Sequence, residues 1–108
     1  MHWLYLIIAI LLEVSGTTCM KLSDGFSKLV PTIFVFIFYG LSFTFVSFAL
    51  KVLPVAVTYA IWSGLGTAAI TIIGVLWFGE QLNAIKLISL LLIIIGVAGL
   101  HFGQEQLR

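Results

Sequence analysis

An acidic residue, Glu13, lies within an otherwise apolar stretch near the start of the chain and is the strongest candidate for chemistry. If that stretch spans a bilayer, a charge there costs at least ~2.5 kcal/mol on insertion scales. Acids placed at such a cost usually serve function, because a carboxyl can bind a proton or a cation. The alternative interpretation is a neutral carboxyl that is only hydrogen-bonded to Thr17 or to a neighbouring helix.

The residues one helical turn away from Glu13 are small. Ala9, Gly16 and Thr17 stand at i−4, i+3 and i+4 from it, which are the positions that share its face on a helix. Small side chains leave open volume beside the carboxyl. We therefore expect these residues to line a ligand pocket.

Aromatic residues form a second candidate group. Tyr59, Trp62 and Ser63 recur at i, i+3 and i+4, so they share one face of a predicted helix. Aromatic faces attract desolvated cations by about 2 kcal/mol or more, so this face and a carboxylate together predict a cation site. Tyr39 and Ser42 form a similar pair in an earlier stretch. Packing between helices is the alternative interpretation for both groups.

Small residues mark two further features. Gly64 and Gly66 weaken the helix that carries Tyr59 and suit a hinge for alternating access, although glycine is also frequent in membrane helices. Ser89 and Gly96 are seven residues apart on one face of the last stretch. We interpret that face as the contact between two copies of the chain.

Several other chemistries lack the residues that they need. The sequence has no cluster of Cys and His with metal-ligand spacing, no glycine-rich phosphate loop and no basic stripe for nucleic acid. We therefore expect no metal, no cofactor, no enzymatic activity and no nucleic-acid partner. The lone Cys19 is interpreted as a buried packing residue.

The elements that position these residues are predicted from the charge pattern. The chain has 108 residues, of which 62% are hydrophobic and 8% are charged, far from the roughly 25% charged usage of soluble domains. Charge-free runs occupy residues 29–50, 52–79 and 87–104, and each can supply the ~20 apolar residues that cross a bilayer. Residues 2–20 form a fourth run, interrupted once by Glu13.

The sequence therefore predicts an all-α membrane protein with four transmembrane helices in a single domain, residues 1–108. The helices are expected at about residues 3–20, 30–50, 54–78 and 85–102, with Pro31 and Pro54 near two of the starts. Residues 103–108 form a polar tail that is expected to fray. Because only short loops remain, no soluble catalytic domain fits, and neighbouring helices must run antiparallel.

The basic residues are balanced between the two predicted faces of the membrane. Loops 1 and 3 carry Lys21, Lys28 and Lys86, whereas the other face carries Lys51 and Arg108 together with the terminal amine. The positive-inside rule then selects neither orientation. A chain that inserts both ways can pair as an antiparallel, dual-topology homodimer. Such a dimer reproduces the inverted repeats that surround the substrate in many secondary transporters.

Two segments resemble the small multidrug resistance family of proton-coupled exporters, and the resemblance extends to about residue 102. Residues 13–21, EVSGTTCMK, are similar to the first-helix signature of the family's quaternary ammonium compound branch. Pro54 and residues 59–66, YAIWSGLG, are similar to the third-helix signature. Ala56 and Thr58 depart from the pattern, since the family more often has Gly and Ala there.

The resemblance implies a multi-pass transporter of the bacterial inner membrane that works as an antiparallel homodimer. Glu13 of both subunits would bind either protons or a hydrophobic cation, Tyr59 and Trp62 would line the pocket, and Tyr39 and Thr17 would shape it. Protons and the cation would then be exchanged by competition for the paired carboxylates.

A sister branch of the family exports guanidinium and typically has a Trp at the position of Gly16. Gly16 therefore favours larger, lipophilic cations as substrates. Two alternatives stay open at this point, namely a guanidinium exporter and a non-transporting subunit that needs a paired homologue.

Overall fold

The computed structural model describes residues 2–106 and contains four α-helices. These are α1 (His2–Leu22), α2 (Leu29–Ala49), α3 (Val55–Leu76) and α4 (Ala84–Gln106). Each helix is long and apolar enough to cross a membrane. The prediction of an all-α chain with four potential membrane spans is therefore confirmed.

The two prolines lie at helix starts for different reasons. α2 begins at Leu29, so Pro31 occupies the first turn, where its missing N–H removes no helical hydrogen bond. Pro54 precedes α3 as its N-cap residue, with an extended backbone, and its carbonyl oxygen accepts a hydrogen bond from the Thr58 N–H at 3.0 Å. The α3 helix ends at Leu76, two residues before the predicted end.

The predicted fraying after Gly103 is wrong for residues 103–106, because α4 continues to Gln106. Gln and Glu are good helix formers, so the polar tail has no intrinsic reason to leave the helix. His101 Nε2 also lies 3.6 Å from Glu105 Oε1, one turn further on. Residues 107 and 108 lie outside the described residues. The expected fraying there, and the expected place of Arg108 on one side of the membrane, therefore stay predictions.

The chain divides into two compact units, one ending at Leu53 and the other beginning at Pro54. The first unit is the antiparallel hairpin of α1 and α2, joined by residues 23–28. Ser23 is buried in this loop, and its Oγ accepts a hydrogen bond from the Phe26 N–H at 3.0 Å. The backbone turns here through left-handed conformations at Asp24, Gly25 and Phe26.

The second unit is the hairpin of α3 and α4, joined by residues 77–83. Asn83 caps α4, because its Oδ1 accepts a hydrogen bond from the Lys86 N–H at 2.9 Å. α3 packs closely on α4 at Gly64, where an added Cβ would lie 2.5 Å from Cγ2 of Val97. None of the described residues of α4 is buried.

Candidate functional site

Glu13 lies near the middle of α1 and is partly buried. Its Oε1 accepts a hydrogen bond of 2.9 Å from the hydroxyl of Thr17, one turn further along the helix. The i, i+4 spacing of the two residues places them on the same helix face, which explains the contact. The carboxylate is thus held from one side by a neutral donor.

A second hydrogen bond links this pair to α2. The hydroxyl of Tyr39 lies 2.6 Å from Thr17 Oγ1. A threonine hydroxyl has a single hydrogen, and Thr17 donates it to Glu13, so Tyr39 must donate to Thr17. Two hydrogen bonds in series therefore end on the carboxylate, and we call Glu13, Thr17 and Tyr39 the Glu13 relay.

Gly16 allows the Tyr39 ring to reach this position. A Cβ added to Gly16 would lie 2.6 Å from Cδ1 and 2.7 Å from Cε1 of Tyr39, and 3.3 Å from Cβ of Phe38. Contacts below 3.0 Å require the neighbour to move, so any larger residue at this position displaces the ring. Gly16 thus supports the relay, because its lack of a side chain lets the Tyr39 ring of α2 lie close to α1.

Ala9 and Ser42 lie together but are packed away from open space. The Ser42 hydroxyl donates a hydrogen bond of 2.7 Å to the Ala9 carbonyl oxygen, and both residues are fully buried. This bond ties α2 to α1 within the first hairpin. Their predicted role in lining a ligand pocket stays a prediction.

Within the part of the chain that the structure describes, no basic side chain forms an ion pair with Glu13. In α4, His101 Nε2 lies 3.6 Å from Glu105 Oε1, a contact that is an ion pair only when His101 is protonated. Hydroxyl donors orient a carboxylate but carry no charge to balance it. An ionised Glu13 therefore has no counter-charge among the described side chains.

The aromatic pair lies on α3, in the second hairpin. The rings of Tyr59 and Trp62 have centroids 6.1 Å apart and meet edge to face, at an interplanar angle of 60°. Tyr59 is 63% exposed, so its ring is open to a ligand, and Trp62 is half-buried. An edge-to-face pair keeps a negative ring face available for a cation.

The other predicted residues of this hairpin have distinct surroundings. Ser63 is exposed, but its hydroxyl donates to the Tyr59 carbonyl oxygen at 2.8 Å. Gly64 and Gly66 are buried within a continuous α3 helix, so their predicted hinge stays a prediction. Ser89 and Gly96 both lie exposed on α4, as a contact between copies of the chain would require.

The bond between Tyr39 and Thr17 was not anticipated from the sequence. The two residues are 22 positions apart, and their meeting depends on the register of α1 against α2. The signal that could have found it is the glycine that precedes Thr17, because a glycine on a helix face permits close approach of a neighbouring ring. The Glu13 to Thr17 contact follows from helical spacing alone and was considered from the sequence.

Comparison with known proteins shows clear relatives. A sequence model of the family described as Small Multidrug Resistance protein matches residues 1–93. The chain is 48% identical over 106 residues to quaternary ammonium compound-resistance protein QacG of Staphylococcus sp. strain ST94, covering 97% of this chain and 99% of that protein. It is 48% identical over 99 residues to quaternary ammonium compound-resistance protein QacE of Escherichia coli, covering 92% and 90%. It is also 48% identical over 101 residues to the uncharacterized membrane protein YvaE of Bacillus subtilis, covering 94% and 85%.

Proposed function

The chain belongs to the small multidrug resistance family, and from this premise we propose that it exports lipophilic and quaternary ammonium cations in exchange for protons. Two relatives are named for resistance to quaternary ammonium compounds, which supports that substrate class. The protein is a multi-pass bacterial membrane protein and a transporter rather than an enzyme.

The single observation that carries the proposal is the setting of Glu13. Its carboxylate lies in the middle of a membrane-spanning helix and accepts a hydrogen bond from Thr17. It has no ion-pair partner among the described residues. A carboxylate that is oriented but not neutralised is a site for which a proton and an organic cation can compete.

The aromatic pair on α3 supports an organic cation as the second ligand. A desolvated cation over a Tyr or Trp ring is stabilised by about 2 kcal/mol or more, and the same faces offer apolar contact to a lipophilic substituent. Tyr59 is open to such a ligand. We propose that Tyr59 and Trp62 contact the cation while Glu13 supplies its counter-charge.

The packing at Gly16 favours bulky cations over guanidinium. Without a side chain at this position, the Tyr39 ring rests on the backbone of α1. A Trp at the same position, as the guanidinium-exporting branch typically has, would collide with Tyr39 and narrow the site. The pocket proposed here therefore accepts larger substrates.

We propose that the transporter is an antiparallel homodimer. The helix α4, which has no buried residue among those described, carries the stripe of Ser89 and Gly96, whose small residues permit close helix contact. The balance of basic residues between the two faces supports insertion in both orientations. In such a dimer, the Glu13 residues of the two copies share one site and take up protons as a coupled pair.

Transport follows from competition at that shared site. On the inner side, a cation binds when the Glu13 carboxylates are ionised. On the outer side, protons entering down their gradient neutralise the carboxylates, and the cation loses its counter-charge and dissociates. Since the site cannot hold the protons and the cation at the same time, the inward movement of protons drives the outward movement of the cation.

Titration of Trp62 fluorescence tests the proposal. Purified protein is titrated with tetraphenylphosphonium and separately with guanidinium, each over a series of acidic to alkaline pH values, with a Trp62→Phe variant to identify the source of the signal. We expect quenching by tetraphenylphosphonium that strengthens with rising pH, because deprotonated Glu13 binds the cation. Binding of guanidinium alone would assign the protein to the sister branch, and binding of neither cation would indicate a subunit that lacks its partner.

A further inference from the structure

The open end of the first hairpin, opposite its loop, carries an open surface cavity of about 430 Å³. Its lining residues come from the start of α1 and from the end of α2 and the residues just after it, namely His2, Tyr5, Phe48, Lys51 and Val52. Because both helices are membrane spans, their ends lie at the level of the lipid headgroups. The cavity therefore faces the membrane interface, far from the middle of α1, where Glu13 lies.

Aromatic rings form the apolar wall of the cavity. The ring centroid of Tyr5 lies 5.5 Å from that of Phe48 and 5.9 Å from that of Phe45. The ring centroid of Trp3 lies 5.8 Å from that of His2, which also lines the cavity. Tyr and Trp are enriched in membrane proteins at the level of the lipid headgroups. The residue types at this end of the hairpin are therefore those expected at the headgroup level.

The polar part of the lining is basic. Lys51 and His2 are its ionisable nitrogen bases, Tyr5 adds a hydroxyl, and no acidic residue is among the lining residues that the structure describes. The acids of this hairpin lie elsewhere, Glu13 in mid-helix and Asp24 in the loop at the opposite end. An anion is the ligand that complements this charge.

One contact argues against a zwitterionic lipid. The Lys51 ammonium lies over the Phe48 ring, with its Nζ 5.5 Å from the ring centroid. A choline or ethanolamine group placed there would find the aromatic face occupied, and it would meet another cation. A headgroup that carries a phosphate and no ammonium meets neither obstacle.

We propose that this cavity binds the phosphate of an anionic phospholipid, whose acyl chains lie along the exposed apolar surface of the hairpin. Lys51 and His2 contact the phosphate, and the Tyr5 hydroxyl donates a hydrogen bond to it. Val52 and the rings of Tyr5 and Phe48 contact the glycerol and the upper acyl chains. The site is separate from the transport site and does not depend on the proposed function.

Native mass spectrometry of the full chain tests this assignment. The protein is released from detergent after equilibration with equal amounts of phosphatidylglycerol and phosphatidylcholine, and the retained lipid of each kind is counted. Lys51→Gln removes the main cation, and Lys51→Arg keeps it. Lys21→Gln is the matched control, because Lys21 is an exposed lysine at the opposite end of the same hairpin.

We expect the parent chain to retain phosphatidylglycerol in preference to phosphatidylcholine. Lys51→Gln should lower that preference about fivefold, which corresponds to the ~1 kcal/mol that one basic side chain contributes near an anionic lipid surface. His2→Gln should lower it as well, whereas Lys51→Arg and Lys21→Gln should retain it. Equal retention of the two lipids by the parent, or an equal loss in Lys51→Gln and Lys21→Gln, would overturn the proposal.

Discussion

At the scale of single residues, the Glu13 relay links the first membrane helix to the second through two hydrogen bonds. Thr17 donates to the carboxylate and Tyr39 donates to Thr17. Hydrogen bonds to charged groups contribute roughly 1.5–3 kcal/mol, about twice the value for neutral pairs. The relay therefore fixes the direction in which the carboxylate presents its free oxygen.

Thr17→Val replaces the hydroxyl with a methyl group of similar size and breaks both bonds. We expect it to weaken tetraphenylphosphonium binding at pH 8 about tenfold, and we expect Thr17→Ser, which keeps the hydroxyl, to bind like the parent. Tyr39→Phe should have a smaller effect alone and almost none in the Thr17→Val background, because the two bonds act in series. Simple addition of the two effects in a double-mutant cycle would argue against the relay.

Gly16→Ala places a methyl group against the Tyr39 ring. The ring must move away, so the bond from Tyr39 to Thr17 lengthens, and we expect the affinity for a bulky cation to fall roughly tenfold. Gly40→Ala is the matched control, because Gly40 is the neighbour of Tyr39 on α2 and an added Cβ there meets nothing within 4 Å. Isothermal titration calorimetry of both variants separates the effect of this contact from a general effect of alanine. An equal loss of affinity in the two variants would contradict a specific role for the contact between Gly16 and Tyr39.

At the scale of helices, α3 and α4 are held together at Gly64. An added Cβ would come within 2.5 Å of the Val97 methyl group, which cannot swing aside because valine is stiff at χ1. We expect Gly64→Ala to lower the free energy of unfolding by about 1–3 kcal/mol. Unfolding in sodium dodecyl sulfate measures this loss.

Two further variants identify the cause of the stability loss expected for Gly64→Ala. Val97→Ala in the Gly64→Ala background should recover part of the stability, because it makes room for the new methyl group. Gly99→Ala should stay within about 0.5 kcal/mol of the parent, since Gly99 faces open space. A stable Gly64→Ala variant would show that the helices can separate at no cost, as a flexible hinge would allow.

The helices themselves could be predicted from the sequence, because apolar runs between charges must span the membrane as hydrogen-bonded helices. The starts of α2 and α3 followed from Pro31 and Pro54, whose effect is local. The sequence places the end of α4 about four residues early, because a polar tail does not by itself end a helix and Gln104 and Glu105 favour helix. Contacts between helices, such as Thr17 to Tyr39, depend on register and were not predictable from composition.

At the scale of the whole molecule, the balance of basic residues allows both orientations in the membrane. Loops 1 and 3 carry three lysines, and the positive-inside rule counts such residues near the ends of spans. A small change in that count should therefore fix the orientation of every copy. Transport activity then depends on whether the two copies of the proposed dimer can still insert in opposite orientations.

Gln81→Lys with Leu82→Lys adds two charges to exposed positions of loop 3. We expect this variant to be inactive in cells challenged with a quaternary ammonium compound. Gln104→Lys with Gln106→Lys adds two charges to the other face and should be inactive as well. Co-expression of the two variants should restore resistance, because it supplies opposite orientations. Full resistance from either variant alone would contradict the antiparallel dimer.

In the proposed mechanism, protons and organic cations compete for Glu13. The most direct measurement is tetraphenylphosphonium uptake into proteoliposomes with an acidic interior, where the outward flow of protons drives the cation inward. The parent chain and Glu105→Gln, which neutralises an exposed acid of α4, should both concentrate the cation. Uptake by proteoliposomes that contain Glu13→Gln should not exceed uptake by protein-free vesicles. Gradient-driven uptake by Glu13→Gln at the parental rate would contradict the account.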